Sequence, residues 1–139
     1  MIPIDTGVFL ALLNRRDPYH QVVQSALSTI REPLITTYPV LTETCYFLLA
    51  RQCDVSPAHF LRQITQQGFV TLFDFEIHHL QRMAELMERY GDQPMDFADA
   101  SLVVLAEQLG HGRILTIDRR DFAVYRWNNH QPFENLVRF

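Results

Sequence analysis

The segment IPIDTGVFLALL (residues 2–13) places one acidic residue, Asp5, between an apolar strand pattern and an apolar helix pattern. The strand pattern IPI ends at Asp5, and a helix is predicted to begin at about Thr6. An ionised carboxylate buried without a partner costs several kcal/mol, so a charge at this position needs a compensating group. The segment therefore predicts a strand-to-helix unit with an acid at its junction.

The same arrangement of an acid inside an apolar segment recurs along the chain. The segments are PVLTETCYFLLA (39–50) around Glu43, MDFADASLVVLA (95–106) around Asp99 and RILTIDRRDF (113–122) around Asp118. One such acid is typical of a helix cap, whereas four of them in one chain favour a shared site.

Short strand patterns alternate with longer helical patterns along the whole chain. The strand patterns are IPI (2–4), LITT (34–37), FVTLF (69–73) and RILTID (113–118), with PFENLV (132–137) as a candidate edge strand. The helical patterns begin at about residue 6 and then cover residues 17–30, 38–52, 56–67, 76–90 and 96–109. Strands separated by helices predict an α/β fold, with a parallel sheet covered on both faces, in one domain over residues 1–139.

Two helices are predicted to start at a capping residue followed by proline, which is favoured at the first helical position. Asp17 before Pro18 is the predicted cap of the second helix, and Ser56 before Pro57 is the predicted cap of the fourth. The pair His78-His79, in the helix over residues 76–90, is predicted to lie on its solvated surface.

The composition limits the classes of function. The 139 residues are 47% hydrophobic, and the net charge is −4 because the 16 acids outnumber 12 basic residues, all of them arginine. This balance argues against a strongly basic nucleic-acid binder, although arginine suits bidentate phosphate contacts. Cys45 and Cys53 lack a zinc-site or CxxC spacing and are interpreted as reduced core residues of a cytoplasmic protein. Neither a signal peptide nor a membrane-spanning segment is predicted.

The fold pattern brings the four acids towards one edge of the sheet. Asp5 and Asp118 each follow a strand directly, and the carboxyl ends of parallel strands face the same edge. Glu43 shares its helix face with apolar residues, so its side chain is predicted to point towards the core. Asp99 lies beside an apolar stripe of its helix, whereas Asp96 lies about 60° further from it, at about 100° per residue. Asp99 is therefore the predicted inward-facing ligand, and Asp96 is assigned to the rim.

Converging carboxylates require a compensating charge. Two like charges about 4 Å apart repel by roughly 4 kcal/mol at an effective dielectric of about 20. One resolution is raised pKa values with shared protons, and the other is a divalent cation, for which all-oxygen ligands select Mg²⁺ or Mn²⁺. Such a centre suits phosphodiester hydrolysis, because the ion activates water and stabilises the leaving oxygen. A structural alternative stays open, since Asp5 and Asp118 taken alone are typical of helix or turn caps.

Arginines near the acids are candidates for phosphate contacts. Arg119 and Arg120 follow Asp118 directly, and Arg15 and Arg16 leave the first helix near the same edge of the sheet. Each pair is as consistent with a solvated turn as with phosphate binding.

These motifs together resemble the PIN domain family. The resemblance rests on IDTGVFLALLNRRDPYH (4–20), TETCYFL (42–48), MDFADASLVVLA (95–106) and ILTIDRRDF (114–122), in the order and spacing that the family shows. It runs from about residue 2 to 125 and is greatest for the short VapC-type toxins of prokaryotic toxin–antitoxin pairs. The resemblance implies a three-layer α/β/α sandwich with a mostly parallel central sheet, and a ribonuclease dependent on Mg²⁺ or Mn²⁺.

The resemblance also implies roles for individual residues. The ligand and catalytic positions of the family map onto Asp5, Glu43, Asp99 and Asp118. Candidates for supporting or substrate contacts around them are Thr6, Asp96, Thr116, Arg119, Arg120 and Asp121. Relatives often carry Ser or Asn where this chain has Gly7, and the fourth acid is the least constant in the family. The implied partners are an RNA substrate, an antitoxin protein and a second copy of the chain in a homodimer.

Two other functions compete with RNA hydrolysis. A protein of the same fold with an inactive site would be a binding or scaffold module, although retention of all four acids favours an enzyme. A phosphohydrolase that uses Asp5 as an aspartyl nucleophile needs a second Asp two residues further on, where this chain has Gly7.

Overall fold

The strands are short, with two or three residues each. The computed structural model describes residues 1–68 and 70–139. Its strands are β1 (Ile2–Pro3), β2 (Leu34–Thr36), β3 (Val70–Leu72), β4 (Arg113–Ile114), β5 (Arg126–Trp127), β6 (Gln131–Pro132) and β7 (Glu134–Asn135). The predicted strands over residues 2–4 and 34–37 are confirmed in position. The strand predicted over residues 113–118 is shorter, since it ends at Ile114 with one further bridge at Leu115. In the predicted strand over 69–73, Phe69 lies outside the described residues.

The strands form a parallel arrangement centred on β1. Strand β2 lies between β1 and β3, with Ile2 opposite Leu34 and Leu34 opposite Val70. On the other side of β1, a parallel bridge joins Ile4 to Leu115, directly after β4. Strand β7 pairs in parallel with β4, which confirms the edge strand predicted in residues 132–137. The ends of β1 and β4 therefore lie side by side, so the residues that follow them share one edge.

The helices alternate with these strands. They are α1 (Thr6–Leu13), α2 (His20–Thr29), α3 (Tyr38–Ala50), α4 (Pro57–Gln67), α5 (Ile77–Arg89), α6 (Phe97–Leu109) and α7 (Arg119–Val124). Helix α1 packs against α2 and α3, and α6 packs against α5, α3 and β1. The parallel α/β fold predicted from the alternation is confirmed.

Helix starts follow the capping pattern at one of the two predicted positions. Ser56 caps α4, with its hydroxyl accepting a hydrogen bond from the His59 N–H at 3.1 Å. The prediction for Asp17 is wrong, because α2 begins later and its N-cap residue is Tyr19. The Asp17 carboxylate instead accepts a hydrogen bond from the Tyr19 N–H at 2.8 Å, which forms a turn before the helix.

Helix α6 is the central helix of the core. Its residues Leu102 and Leu105 are fully buried, and it ends at Gly110, which adopts a left-handed conformation with φ of +77°. Only a residue without a Cβ takes this conformation at no steric cost. Because α6 is anchored over its whole length, its first turn presents Asp96 and Asp99 at a defined position beside β1.

Residues 119–132 contain a short helix and a pair of strands that the sequence patterns did not predict. Helix α7 follows Asp118, and strands β5 and β6 form an antiparallel pair. The turn between these strands contains Asn128 and Asn129, both with positive φ. Asparagine tolerates that conformation better than most residues, so the turn is consistent with its sequence.

No helix within the described residues is long and apolar enough to cross a membrane. Cys45 and Cys53 are free thiols, each half-buried, and Cys53 lies beyond the end of α3. Both side chains pack against the core without being fully inside it, so the prediction of core cysteines is confirmed in part.

Candidate active site

Asp5 is the most buried of the predicted acids, with 6% of its surface exposed. It is the N-cap of α1, and its Oδ1 atom accepts a hydrogen bond from the Thr6 N–H at 2.7 Å. Its Oδ2 atom accepts a second bond, from the hydroxyl of Thr116, at 2.8 Å. The cap predicted as the structural alternative is therefore present, together with a contact to the loop that follows β4.

Thr116 connects the first and the fourth acid. Besides donating to Asp5, its hydroxyl oxygen accepts a hydrogen bond from the Asp118 N–H at 2.9 Å. The Asp118 carboxylate in turn accepts a bond from the Asp121 N–H at 3.1 Å and caps α7. The fully buried Thr116 thus holds the two acids that follow neighbouring strands.

The missing side chain at Gly7 allows the loop after β4, which contains Thr116 and Asp118, to approach α1 closely. A Cβ atom added at Gly7 would lie 2.4 Å from Cγ1 of Ile117, far inside van der Waals contact. A Ser or Asn at this position would therefore displace the Ile117 side chain. Here the glycine allows the loop with Thr116 and Asp118 to lie directly against the first turn of α1.

The third predicted acid, Asp99, lies in the first turn of α6, next to the helix cap Asp96. Asp96 is exposed and caps the helix, with its Oδ1 atom accepting a hydrogen bond from the Asp99 N–H at 2.8 Å. Asp99 is half-buried and accepts a hydrogen bond from the Tyr125 hydroxyl at 3.1 Å. The predicted placement of Asp99 inside and Asp96 at the rim agrees with these positions.

Glu43 occupies the middle of α3, but its predicted orientation needs correction. The residues that share its face include Tyr46, which is 64% exposed, and Ala50, which is also exposed. Glu43 itself is half-buried, so its side chain faces a cleft rather than the core. The apolar face was misleading because α3 exposes large apolar side chains.

All four predicted acids line one open cavity of about 490 Å³, which we call the acid cavity. Its remaining acidic residues are Asp17, Asp96 and Asp121, and Thr6 lies in its wall. Asp121 also accepts a hydrogen bond from the Gln93 amide at 2.8 Å. The acids come from five regions of the chain, so only the fold brings them together.

The arginines predicted as candidates for phosphate contacts do not line the acid cavity. Arg15, Arg119 and Arg120 are exposed and do not line the acid cavity, and the guanidinium of Arg119 lies 4.1 Å from the centre of the Phe139 ring. Arg51, which the sequence analysis did not single out, does line the cavity. It follows the last residue of α3, two helical turns after Glu43.

The environment raises the pKa values of the acids. Burial raises the pKa of Asp5 to about 6, although hydrogen bonds from Thr116 and Thr6 oppose the rise. Burial, with the charge of Asp96 adding to it, raises the pKa of Glu43 to about 7.

The pKa values of Asp99 and Asp118 are also raised mainly by burial. Burial and then the charges of Asp96 and Asp5 raise the pKa of Asp99 to about 8. The pKa of Asp118 is also raised, again mainly by burial. Full ionisation of the cavity at neutral pH is therefore unfavourable without a positive charge inside it.

The carboxylates share a cavity without converging on a single point. Within the described residues, no three His, Cys, Asp or Glu side chains are gathered closely enough to make a finished metal site. The donor set is nevertheless all-oxygen and strongly acidic, which is the chemistry preferred by hard divalent cations. A cation fits this cavity if the carboxylates rotate towards it, with Asp5 held by its hydrogen bonds as the fixed point.

The chain in chelating buffer is expected to lose stability as the pH rises from about 5 to about 8. The folded pKa values of Asp5, Glu43 and Asp99 lie above their ordinary values, so the folded chain binds more protons than the unfolded chain in this range. This contribution to the free energy of unfolding is fully present below the ordinary pKa values. It is lost as the pH passes through the raised ones.

Thermal unfolding in a chelator at several pH values measures this effect. A melting temperature that stays constant or rises from about pH 5 to about pH 8 would contradict the raised pKa values. The Asp99→Asn variant provides the control, because it removes the carboxyl with the highest pKa of the three and should flatten the profile.

Comparison with known proteins adds independent findings. The family model described as PIN domain matches residues 2–128. Ribonuclease VapC26 of Mycobacterium tuberculosis (strain ATCC 25618 / H37Rv) is 29% identical over 123 residues, which cover 88% of this chain and 90% of that protein. The crystal structure of Mycobacterium tuberculosis VapC20, described as a sarcin-ricin-loop-cleaving toxin, superposes with a TM-score of 0.74. That match covers 86% of this chain and 92% of the other at 21% identity, and it concerns the fold alone.

Proposed function

The chain belongs to the PIN domain family, and from this premise we propose that it is a divalent-metal-dependent endoribonuclease whose active centre is the acid cavity. The observation that carries the proposal is that Asp5, Glu43, Asp99 and Asp118 line one cavity although they are distant in sequence. The similarity to Ribonuclease VapC26 supports RNA as the substrate class. The proposal includes one domain over residues 1–139, since one connected core extends from Ile2 to Val137.

Asp5, Glu43 and Asp99 would hold the cation, and Asp118 would complete the site or orient the attacking water. A bound Mg²⁺ or Mn²⁺ supplies positive charge that lowers the pKa of water and stabilises the phosphate in the transition state. The Thr116 hydroxyl group fixes the relative positions of Asp5 and Asp118, because it donates to the Asp5 carboxylate and accepts from the Asp118 N–H. Tyr125 orients Asp99 by donating to its carboxylate.

The lining of the cavity favours water as the nucleophile. Among the described residues that line it there is neither a cysteine nor a histidine. The hydroxyl of Thr6, which also lies in the wall, is directed to the carbonyl of Val40 at 3.4 Å. The carboxylates are thus the groups available to position a water and to accept its proton.

Incubation of the purified chain with end-labelled single-stranded RNA tests this proposal. We expect cleavage with Mn²⁺ or Mg²⁺, loss of cleavage in chelator, and product ends that carry a simple phosphate monoester. Cleavage that persists in chelator, or products that end in a 2′,3′-cyclic phosphate, would contradict hydrolysis by water in a metal centre.

A second candidate function is that of a binding module with an inactive site. The observation that favours it is the open spacing of the carboxylates, which form no finished metal site within the described part of the chain. Under this hypothesis a divalent cation would neither stabilise the protein nor promote cleavage. The cation titration described in the Discussion separates the two candidates.

Tyr125→Phe is expected to weaken cation binding about tenfold. The substitution removes the hydroxyl that donates to Asp99, so the carboxylate loses both its orientation and a stabilising hydrogen bond. Calorimetric titration with Mn²⁺ measures the change. Tyr90→Phe is the matched control, because the Tyr90 hydroxyl contacts the Arg126 N–H and should leave cation affinity unchanged. Equal losses in the two variants would contradict the role of Tyr125.

The proposal includes two protein partners. A toxin of this kind pairs with an antitoxin, and an arginine of that partner entering the acid cavity would neutralise it. An apolar groove beside the cavity supports a homodimer, because its side chains Tyr38, Tyr46 and Phe97 are between 47% and 64% exposed. The mass from light scattering of the purified chain tests the dimer, and a monomer at all concentrations would contradict it.

A further inference from the structure

Arg51 occupies a distinct position beside the acid cavity. It is the only basic side chain among the described residues that line this cavity. It also lines an adjoining groove of about 250 Å³, whose wall contains Arg16 as well. We call this second space the arginine groove. The two spaces share the lining residues Arg51, Leu10 and Asp17, so they adjoin each other at Arg51.

The exposed Arg51 side chain stacks on an aromatic ring and has no acidic partner among the described residues. Its central carbon lies 4.5 Å from the centre of the Phe47 ring, and Phe47 itself lines the acid cavity. No carboxylate within the described residues lies at ion-pair distance, in contrast to Arg82, which pairs with Glu107 at 2.8 Å. Stacking uses the flat face of a guanidinium and leaves its N–H edge for a second ligand.

The negative charge of the acid cavity means that RNA binding needs a positively charged group beside it. RNA carries a negative charge at every phosphate, and the acids that line the cavity repel phosphates on either side of the cleaved bond. A cation in the cavity offsets this repulsion only at the scissile phosphate. The adjacent phosphate needs a separate positive group, and among the described lining residues that group is Arg51.

We propose that Arg51 binds the backbone phosphate adjacent to the scissile one and directs the RNA strand from the acid cavity into the arginine groove. This inference rests on the proposed function, since it takes RNA as the substrate. Arg16, in the turn after α1, is positioned to contact the strand further along the same groove. The groove also contains Asp17 and Asp54, so its attraction for phosphate is local to the arginines.

Binding of a short fluorescein-labelled single-stranded RNA, followed by anisotropy between about 50 and 200 mM salt, tests the proposal. For Arg51→Gln we expect affinity to fall about tenfold, and the slope of log K against log salt to decrease by about 0.7, the value for one phosphate of a single strand. Arg51→Lys retains the charge, so it should keep the slope while losing part of the affinity through weaker stacking. In cleavage assays the loss should be found in KM and not in kcat.

Arg62→Gln is the matched control, because Arg62 is an exposed arginine of α4 that lines neither space. An unchanged affinity and slope for Arg51→Gln would overturn the inference, as would a reduced slope for Arg120→Gln in its place. RNA bound through Arg51 without any cleavage would contradict the proposed function and would leave Arg51 as a phosphate contact only. Cleavage with a native KM in Arg51→Gln would support the proposed function and contradict the role of Arg51. A native chain that binds no RNA would contradict the proposed function and the role of Arg51 together.

Discussion

Asp5→Asn is expected to reduce RNA cleavage by at least about a thousandfold, equivalent to roughly 4 kcal/mol of transition-state stabilisation. The expected loss is large because Asp5 is the most buried of the four acids and the one held by two hydrogen bonds. Removal of its charge takes away the fixed ligand around which the other carboxylates would gather. The initial rate of RNA cleavage in saturating Mn²⁺ measures the effect.

The asparagine variant separates the loss of charge from the loss of structure. The amide oxygen can still accept the Thr6 N–H bond, and the amide nitrogen can donate to the Thr116 hydroxyl, which then acts as an acceptor. The fold is therefore retained, and in chelator near pH 8 the variant should melt at a higher temperature than the native chain. Asp92→Asn is the matched control, because Asp92 is exposed and does not line the acid cavity. Native activity in Asp5→Asn would contradict the assigned active centre.

Divalent cation is expected to raise the melting temperature by about 5–10 °C at a hundredfold excess over its dissociation constant, near pH 8. At that pH the carboxyls of Asp5 and Glu43 are mostly ionised and that of Asp99 is about half ionised, and the cation relieves their mutual repulsion. The shift should shrink near pH 5, because protons then occupy the same carboxyls.

The double variant Asp5→Asn/Asp99→Asn should show no cation-dependent shift at either pH. Potassium chloride at the same ionic strength controls for general screening, which acts on all surface charges. A native chain whose melting temperature is unaffected by Mg²⁺ and Mn²⁺ would support the inactive binding module. It would also remove the physical basis for assigning the four acids to one site.

The acids near the ends of β1 and β4 could be predicted from sequence, although Asp118 lies three residues after the last bridge, at Leu115. Asp5 and Asp118 are placed by the ends of β1 and β4, and parallel pairing brings those ends to one edge. The hydrogen bonds that connect them through Thr116 could not be predicted in detail, because they depend on the register between distant segments. Gly7 is a similar case, since its role depends on the position of Ile117 across the site.

Predictions based on one face of a helix were less reliable. Glu43 was predicted to point to the core because its neighbours are apolar, but α3 exposes Tyr46 and Leu49. The prediction of a solvated His78-His79 pair is wrong for His79, which is 5% exposed and packs against Phe73 and Phe75. In both cases the sequence indicates how apolar a face is, whereas the packing of neighbouring elements decides whether that face is covered.

The importance of Arg51 could not be inferred from its immediate sequence. Its neighbours Gln52 and Asp54 resemble an ordinary polar loop after a helix. Its position depends on stacking with Phe47, one helical turn earlier, and on the placement of α3 beside the strand ends. The arginines adjacent to Asp118 were the more obvious candidates, yet they lie outside the acid cavity.

Diffraction from crystals grown with Mn²⁺, recorded at a wavelength where manganese scatters anomalously, tests the central claim most directly. The account predicts an anomalous peak in the acid cavity, within about 2.5 Å of carboxylate oxygens of Asp5 and Asp99, with Glu43 turned towards it. A cavity without such a peak at saturating Mn²⁺, or a peak bound only by residues outside it, would contradict the account.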